Sequence, residues 1–362
     1  MAEVCEALDR LAPPHLAQEW DNVGLLIGDR SATVRRVLLT IDLTRPVVRE
    51  ARRRRAEMVM AYHPPIFKPI RRLTAEAAPA AWSATQAGLA VYAPHTALDA
   101  APGGTNDVLA EAIGLEAARP LEAAPSTASC KLVVLVPAGE VSAVASAAFS
   151  AGAGRIGDYS ECSFRTEGTG TFRPGGRARP RVGRTGRTET APEVRLEVVL
   201  PRERLAAVME AVRGAHGYET PAIDVYPLEA VGDGAGLGRI GRLARPVTVA
   251  GFIGRIKRAL GVTRVLTAGP RSGRVRTAAC CAGSCGGAFR SATAGGADAY
   301  VTGEMRHHDA LAAGAAGMTV VCVGHSHSER PVLPRVAERL RAELPGLDAA
   351  VSEADRDPLE VV

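Results

Sequence analysis

Residues 319 to 331, TVVCVGHSHSERP, join a short apolar segment to a group of polar side chains. The first five residues have the pattern of a buried strand, which ends at Gly324. Serines that can cap a helix and a proline suited to its first turn come next. His325 and Glu329 therefore lie where ligands bind in open α/β sheets. They could be half of a metal site, or a surface histidine and a glutamate that only favours the helix dipole.

Other strand-like segments of the chain end in side chains of the same kind, namely His63, Asp99 and Glu304. Because the carboxyl ends of parallel strands share one edge of a sheet, we expect these groups to meet His325 and Glu329. Imidazole and carboxylate groups are ligands for Zn, Mn, Fe and related divalent ions, which acidify water for hydrolysis. The sequence therefore predicts a divalent metal site.

Further polar side chains lie beside these candidates in the sequence: Tyr62, His95, His308 and His327. Each could support a ligand or carry a proton, and each could instead be a packed or exposed residue without a role in chemistry. We interpret His95 as the candidate catalytic proton carrier.

The α/β pattern is interrupted in the middle of the chain. Strands and helices alternate over residues 1–122 and again over 245–362, which predicts a discontinuous, metal-binding α/β core. Within it we expect three layers, with a largely parallel sheet covered on both faces. Residues 125–244 contain two strand-Pro-helix units separated by a hairpin-like stretch, the pattern of an inserted ferredoxin-like β-α-β-β-α-β domain.

Composition excludes several classes of protein. With 362 residues, 46% hydrophobic and 23% charged, the chain is expected to be a globular protein with two domains. It has no apolar run long enough to cross a membrane, and its acidic start lacks an apolar signal segment. Seven cysteines without regular spacing suit a reducing compartment, so we expect a cytoplasmic protein. The net charge of +5 comes with only 4% aromatic residues, which disfavours nucleic-acid binding.

Four motifs, YHPPIFKP at 62–69, PHTALD at 94–99, TGEM at 302–305 and HSHSER at 325–330, together resemble the GTP cyclohydrolase I type 2 homolog (Nif-three-like) family. The resemblance covers nearly the whole chain. DNVGL at 21–25 fits the family's amino-terminal motif. The middle segment resembles the insert of the long bacterial members, which is similar to nitrogen-regulatory PII and CutA-like modules.

The resemblance implies a two-metal site in a toroidal homohexamer. Carried over by position, the metal ligands would be His63, Asp99, His325 and Glu329, holding one or two Zn, Mn or Fe ions per subunit. Many members have a His-His pair where this chain has Tyr62-His63, and a neutral phenol is a poor ligand. We therefore expect one metal position to be weakened or lost, unless His95 or Tyr62 itself compensates.

Two functions are compatible with these features. The first is a metal-dependent hydrolase that acts on a nucleotide-like or other small phosphorylated substrate. The second is a non-catalytic metal-binding regulator or scaffold whose insert senses a small molecule. The family label is a statement of homology and does not by itself imply GTP cyclohydrolase activity.

Overall fold

The computed structural model describes residues 1–124, 129–157, 159–228 and 234–360. The chain divides into two compact units, one formed by Met1–Ala124 with Gly234–Val362 and the other by Pro125–Asp233. The strands are β1 Gly24–Ile27, β2 Arg36–Thr40, β3 Met58–Ala61, β4 Ala90–Ala93, β5 Leu115–Ala123, β6 Ser129–Pro137, β7 Phe164–Phe172, β8 Glu189–Pro201, β9 Ile223–Pro227, β10 Gly236–Thr248, β11 Leu266–Ala268, β12 Arg274–Cys281, β13 Ala299–Thr302, β14 Thr319–Cys322 and β15 Asp348–Val351.

The α-helices are α1 Ala2–Leu11, α2 Arg45–Arg53, α3 Pro79–Gln86, α4 His95–Ala100, α5 Thr105–Ile113, α6 Val141–Ser150, α7 Leu205–Ala215, α8 Val249–Ala259, α9 Phe289–Ala294, α10 His307–Ala315, α11 His325–Glu329 and α12 Val332–Glu343. Short 3-10 turns occupy Pro14–Leu16, Ala138–Glu140, Arg202–Arg204 and Gly286–Ala288.

The described residues of the first unit form two sheets, where the sequence predicts one. The first sheet has the order β1-β4-β3-β2-β15, and only the β1–β4 pair is antiparallel. The second has the order β11-β14-β13-β12-β10-β5 and is mixed, with a parallel centre of β12, β13 and β14. The prediction of a single largely parallel sheet was wrong, because the unit has a separate second sheet in which β10 and the edge strands β5 and β11 pair in antiparallel fashion.

Helices cover both faces of each sheet, and this explains the continuous apolar sequence of the central strands. In the first sheet, α1 and α12 pack on one face and α2 on the other. In the second, α5 and α8 pack on one face, opposite α9 and α10. Strand β3, for example, is fully buried along Met58–Ala61. The architecture is therefore mixed α/β with helices on both sides of each sheet.

The part of the second unit that the structure describes has the element order β6-α6-β7-β8-α7-β9 and one antiparallel sheet ordered β7-β8-β6-β9. Its own core comprises apolar side chains of β6, β8, α6 and α7, among them Leu132, Val144, Leu196 and Val208. The elements and core expected for the insert from the sequence are thus present within one compact unit.

The end of the insert lies earlier than the predicted residue 244. Strand β10 begins at Gly236 and pairs with β5 on one side and β12 on the other, so residues 236–244 belong to the sheet of the first unit. Local sequence patterns do not indicate this pairing, because β10 opens with glycines and β5 is an exposed edge strand that contains Pro120.

Residues 125–233 are expected to fold alone, because their sheet and helices enclose a complete core. Circular dichroism and a cooperative thermal transition would show this. In parallel, residues 1–124 joined to 234–362 by a short linker should keep their metal affinity. An isolated insert that stays unfolded would contradict the boundary.

Candidate metal site

The candidate site forms where the carboxyl ends of strands from both sheets of the first unit meet. Strand β3 leads into Tyr62 and His63, while β14 leads through Gly324 into α11. Gly324 has φ +95°, a conformation that suits glycine and turns the chain sharply from strand to helix. His325 and Glu329 then lie on one face of α11, with Nε2 of His325 3.2 Å from Oε1 of Glu329.

Three side chains come together as possible ligands. Nε2 of His63 lies 3.4 Å from Oε2 of Glu329, so one carboxylate contacts imidazoles from both sheets. The donor atoms of His63, His325 and Glu329 all lie within 4.8 Å of one another. This cluster could bind a metal ion.

The chemistry of Glu329 fits a cation. Its side chain is almost fully buried, and among the described residues its Oε2 has no hydrogen-bond partner, although Nε2 of His63 approaches it to 3.4 Å. A buried carboxylate oxygen without a hydrogen bond is costly, and a bound cation would lower that cost. Gly283 leaves the room required: a Cβ there would lie 2.6 Å from Oε1 of Glu329.

Each imidazole of the cluster has a carboxylate at its other nitrogen. Nδ1 of His63 lies 2.9 Å from Oδ1 of Asp42, and Nδ1 of His325 lies 3.4 Å from Oε1 of Glu304. Such partners fix the ring orientation of metal-binding histidines. Sequence reasoning named Glu304 but missed Asp42, although it follows β2 as His63 follows β3.

Asp99, the fourth ligand implied by the family resemblance, has a different partner. Its carboxylate accepts a hydrogen bond from the hydroxyl of Tyr62, which also lies 3.2 Å from Oγ1 of Thr105. Burial, together with the nearby Glu329 carboxylate, raises the pKa of Asp99 to about 6. Burial also raises the pKa of the Tyr62 phenol well above its usual value. Tyr62 and Asp99 therefore satisfy each other, and Asp99 is not among the three clustered donors.

His95 is held by a buried carboxylate that the sequence did not suggest. Nδ1 of His95 lies 2.8 Å from Oδ1 of Asp21, whose other oxygen accepts from the backbone and side chain of Thr96. Burial alone would raise the pKa of Asp21. The hydrogen bonds from His95 and Thr96 outweigh the effect of burial, so the pKa of Asp21 lies below its usual value. His95 has φ +30°, an uncommon backbone conformation that is often associated with functional sites. A histidine fixed in this way through one nitrogen keeps the other for proton transfer.

The remaining candidate histidines have other surroundings. Nδ1 of His327 lies 3.1 Å from Oδ2 of Asp357 near the carboxyl terminus. His308 is exposed at the start of α10, where its ring contacts His307. These surroundings fit the alternative stated for His308 and His327, in which neither residue takes part in catalysis. By contrast, the ring centroid of His95 lies 5.4 Å from that of His63.

Metal binding should release protons at pH 8. Burial alone would lower the pKa of His63. The Asp42 and Glu329 carboxylates outweigh the effect of burial and raise the pKa of His63 to about 10. Contact with Glu329 likewise raises the pKa of His325 to about 9. Both rings are therefore largely protonated at pH 8 in the metal-free protein, and each must lose its proton to bind an ion.

Calorimetry with Mn or Zn in two buffers of different ionisation enthalpy measures this release. We expect about one to two protons per ion at pH 8, whereas imidazoles near the ordinary value of about 6.5 would release almost none. Since both pKa values are raised, the same contacts stabilise the metal-free fold fully below pH 6.5. That contribution is lost as the pH rises through about 9 to 10.

Comparison with known proteins supports the resemblance inferred from the sequence. The family model for Duf34/NIF3 (NGG1p interacting factor 3) matches residues 1–358. A protein of Listeria innocua named GTP cyclohydrolase 1 type 2 homolog is 33% identical over 99% of this chain and 98% of its own. A Bacillus subtilis protein of the same name is 35% identical over 98% and 97%.

A solved structure leads to the same family, and the expected resemblance is thereby confirmed. The crystal structure of a Bacillus cereus protein related to NIF3 has a TM-score of 0.73 and 36% identity, covering 99% of this chain and 98% of that chain. Within the described residues, no helix is long and apolar enough to cross a membrane. The match over nearly the whole chain, at this level of identity, shows that the chain belongs to the Duf34/NIF3 family, whose members include proteins named GTP cyclohydrolase 1 type 2 homolog.

Proposed function

We propose that this protein is a divalent-metal-dependent hydrolase acting on a nucleotide-like or other small phosphorylated substrate. The observation that carries the proposal is the cluster of His63, His325 and Glu329, in which a buried carboxylate oxygen has no hydrogen-bond partner among the described residues. An ion bound there would supply Lewis acidity and acidify water near neutral pH.

The chain's own residues have separate roles in this proposal. His63, His325 and Glu329 would hold the ion, while Asp42 and Glu304 orient the two imidazoles. His95, fixed by Asp21, moves a proton to or from the substrate. Asp99 joins the ligands only if Tyr62 releases its carboxylate.

The identity of the metal, the type of insert, the assembly and the location belong to the same proposal. Zn, Mn and Fe all suit a donor set of two imidazoles and a carboxylate. The β-α-β-β-α-β order of the insert supports a ferredoxin-like domain, and its PII/CutA-like character rests on the sequence resemblance. A homohexamer and a cytoplasmic location are likewise predictions. The name GTP cyclohydrolase 1 type 2 homolog of the relatives records homology, so we do not assign GTP cyclohydrolase activity.

A metal-binding regulator is the second candidate, and a cavity in the insert favours it. This cavity has a volume of about 380 Å³ and is lined by the buried Glu193, Tyr218 and the segment 170–175, among others. Its size suits a small molecule. Tight ligand binding to the insert, without turnover by the full chain, would support this function instead.

Hydrolysis of a panel of nucleotides and sugar phosphates, with and without added Mn or Zn, tests the enzyme proposal. We expect metal-dependent turnover that falls about 10²- to 10⁴-fold in His95→Ala, since a positioned proton carrier contributes that much. Asp21→Asn should also lower it, with the greater loss in kcat. His308→Ala, at an exposed histidine away from the cluster, is the matched control. Absence of turnover across the panel with fully metal-loaded protein would refute the hydrolase.

A further inference from the structure

We propose that Trp20 and Phe67 form a stacking surface for the planar base of a nucleotide, next to the metal-site cluster. This inference rests on the proposed function, because it names the substrate class for the same site. Trp20 is 59% exposed and Phe67 45% exposed, yet their ring centroids lie only 5.7 Å apart. Large aromatic side chains exposed together are typical of binding sites.

The position of the two rings connects them to the candidate chemistry. The centroids of Trp20 and Phe67 lie 6.0 Å and 6.4 Å from that of His95, which contacts both rings edge-on. His95 lies in turn 5.4 Å from His63, measured between ring centroids. A base stacked on Trp20 or Phe67 would thus leave the rest of a nucleotide within reach of the cluster.

Hydrogen bonds hold the two aromatic residues in place through their neighbours. Nδ2 of Asn22 donates to the carbonyl oxygen of Ile66 at 2.6 Å, which joins the backbone around Trp20 to that around Phe67. Asp21, next to Trp20, is fixed to His95 and Thr96. A surface ordered before the ligand arrives loses less entropy on binding.

Charge around the surface favours an anionic ligand over an apolar one. Lys68, Arg71 and Arg72 follow Phe67 on the loop between β3 and α3, and all three are exposed. Among the described residues, none of the three pairs with a carboxylate. A planar base that stacks, joined to phosphate groups that attract arginine and lysine, is the chemistry of a nucleotide.

Fluorescence of Trp20 reports on stacking directly. The chain has two tryptophans, Trp20 and Trp82, so Trp82→Phe leaves Trp20 as the single indole. In this variant of the full chain, guanosine and adenosine monophosphate should quench the emission, whereas ribose 5-phosphate, which lacks a base, should not.

Phe67→Leu should weaken nucleotide binding about tenfold. Phe164→Leu, at an exposed aromatic residue of the insert, should leave it unchanged. If Trp82→Phe does not fold, calorimetry on the wild type, Phe67→Leu and Phe164→Leu gives the same comparison.

The outcomes separate this inference from the proposed hydrolase. Quenching that persists in His325→Ala, Glu329→Ala would support the stacking surface even if no substrate is ever hydrolysed. Equal affinity for ribose 5-phosphate, or no effect of Phe67→Leu, would overturn it even if metal-dependent hydrolysis is found. A mixed-sequence single-stranded oligonucleotide that binds more than tenfold tighter than the mononucleotides would also overturn it, in favour of a strand-binding surface.

Discussion

Replacing His325 and Glu329 together by alanine is expected to abolish metal binding. The change removes two of the three clustered donors and both oxygens that approach the imidazoles from α11. His63 alone cannot hold a divalent ion tightly, since stable protein sites use three or four ligands. Elemental analysis of the purified protein should show metal content falling from about one ion per chain to background.

The double change has a structural advantage over His325→Ala alone. Removing His325 alone would leave the buried Glu329 carboxylate with one fewer cationic neighbour, and a buried charge without partners destabilises a fold. The variant His307→Ala, His308→Ala is the matched control, because it removes two histidines from a helix outside the cluster. Unchanged metal content in His325→Ala, Glu329→Ala would refute the assignment, provided circular dichroism shows a folded protein.

The sequence located the candidate ligands because strand ends can be recognised locally. Apolar segments that stop at His63 and His325 are visible in the chain, and in the structure both residues follow buried strands. That these strands belong to different sheets is a matter of long-range pairing. It depends on how β10 pairs with β5 and β12 after the chain has passed through the insert, which no local pattern encodes.

The partners of the candidate residues were harder to foresee than the residues themselves. Asp21 and His95 are 74 residues apart in sequence, and their contact exists only once α4 packs beside the amino-terminal segment. Asp42 reaches His63 from the neighbouring strand across 21 residues. Carboxylates that contact a candidate histidine in this way depend on where side chains point in the folded chain. The hydrophobic periodicity of the sequence does not specify those directions.

The resemblance implies a His-His pair where this chain has Tyr62-His63, and this difference has a clear measurable consequence. Tyr62 is fully buried, and its hydroxyl donates a hydrogen bond to Asp99. Tyr62 therefore offers a metal ion only a weakly coordinating oxygen, and it also engages a carboxylate that could otherwise act as a ligand. A neutral phenol coordinates divalent ions weakly, whereas a neutral imidazole offers a lone pair near pH 7. We therefore expect one tightly bound ion per chain, with any second position filled only at high metal concentration.

Tyr62→His should raise the stoichiometry of tight binding from one toward two ions per chain. The new imidazole supplies a donor next to His63, and loss of the phenol frees the Asp99 carboxylate to act as a ligand. Titration of metal-free protein with Mn or Zn by calorimetry measures the change.

Tyr62→Phe separates the added imidazole from the freed carboxylate. It also frees Asp99 but adds no metal-coordinating atom, so its stoichiometry should stay at one. Two tight sites in the wild type would contradict this account, since they would show that His95, another carboxylate or an ionised Tyr62 already completes the second position. An increase in Tyr62→Phe equal to that in Tyr62→His would show instead that the carboxylate, and not the imidazole, completes the second position.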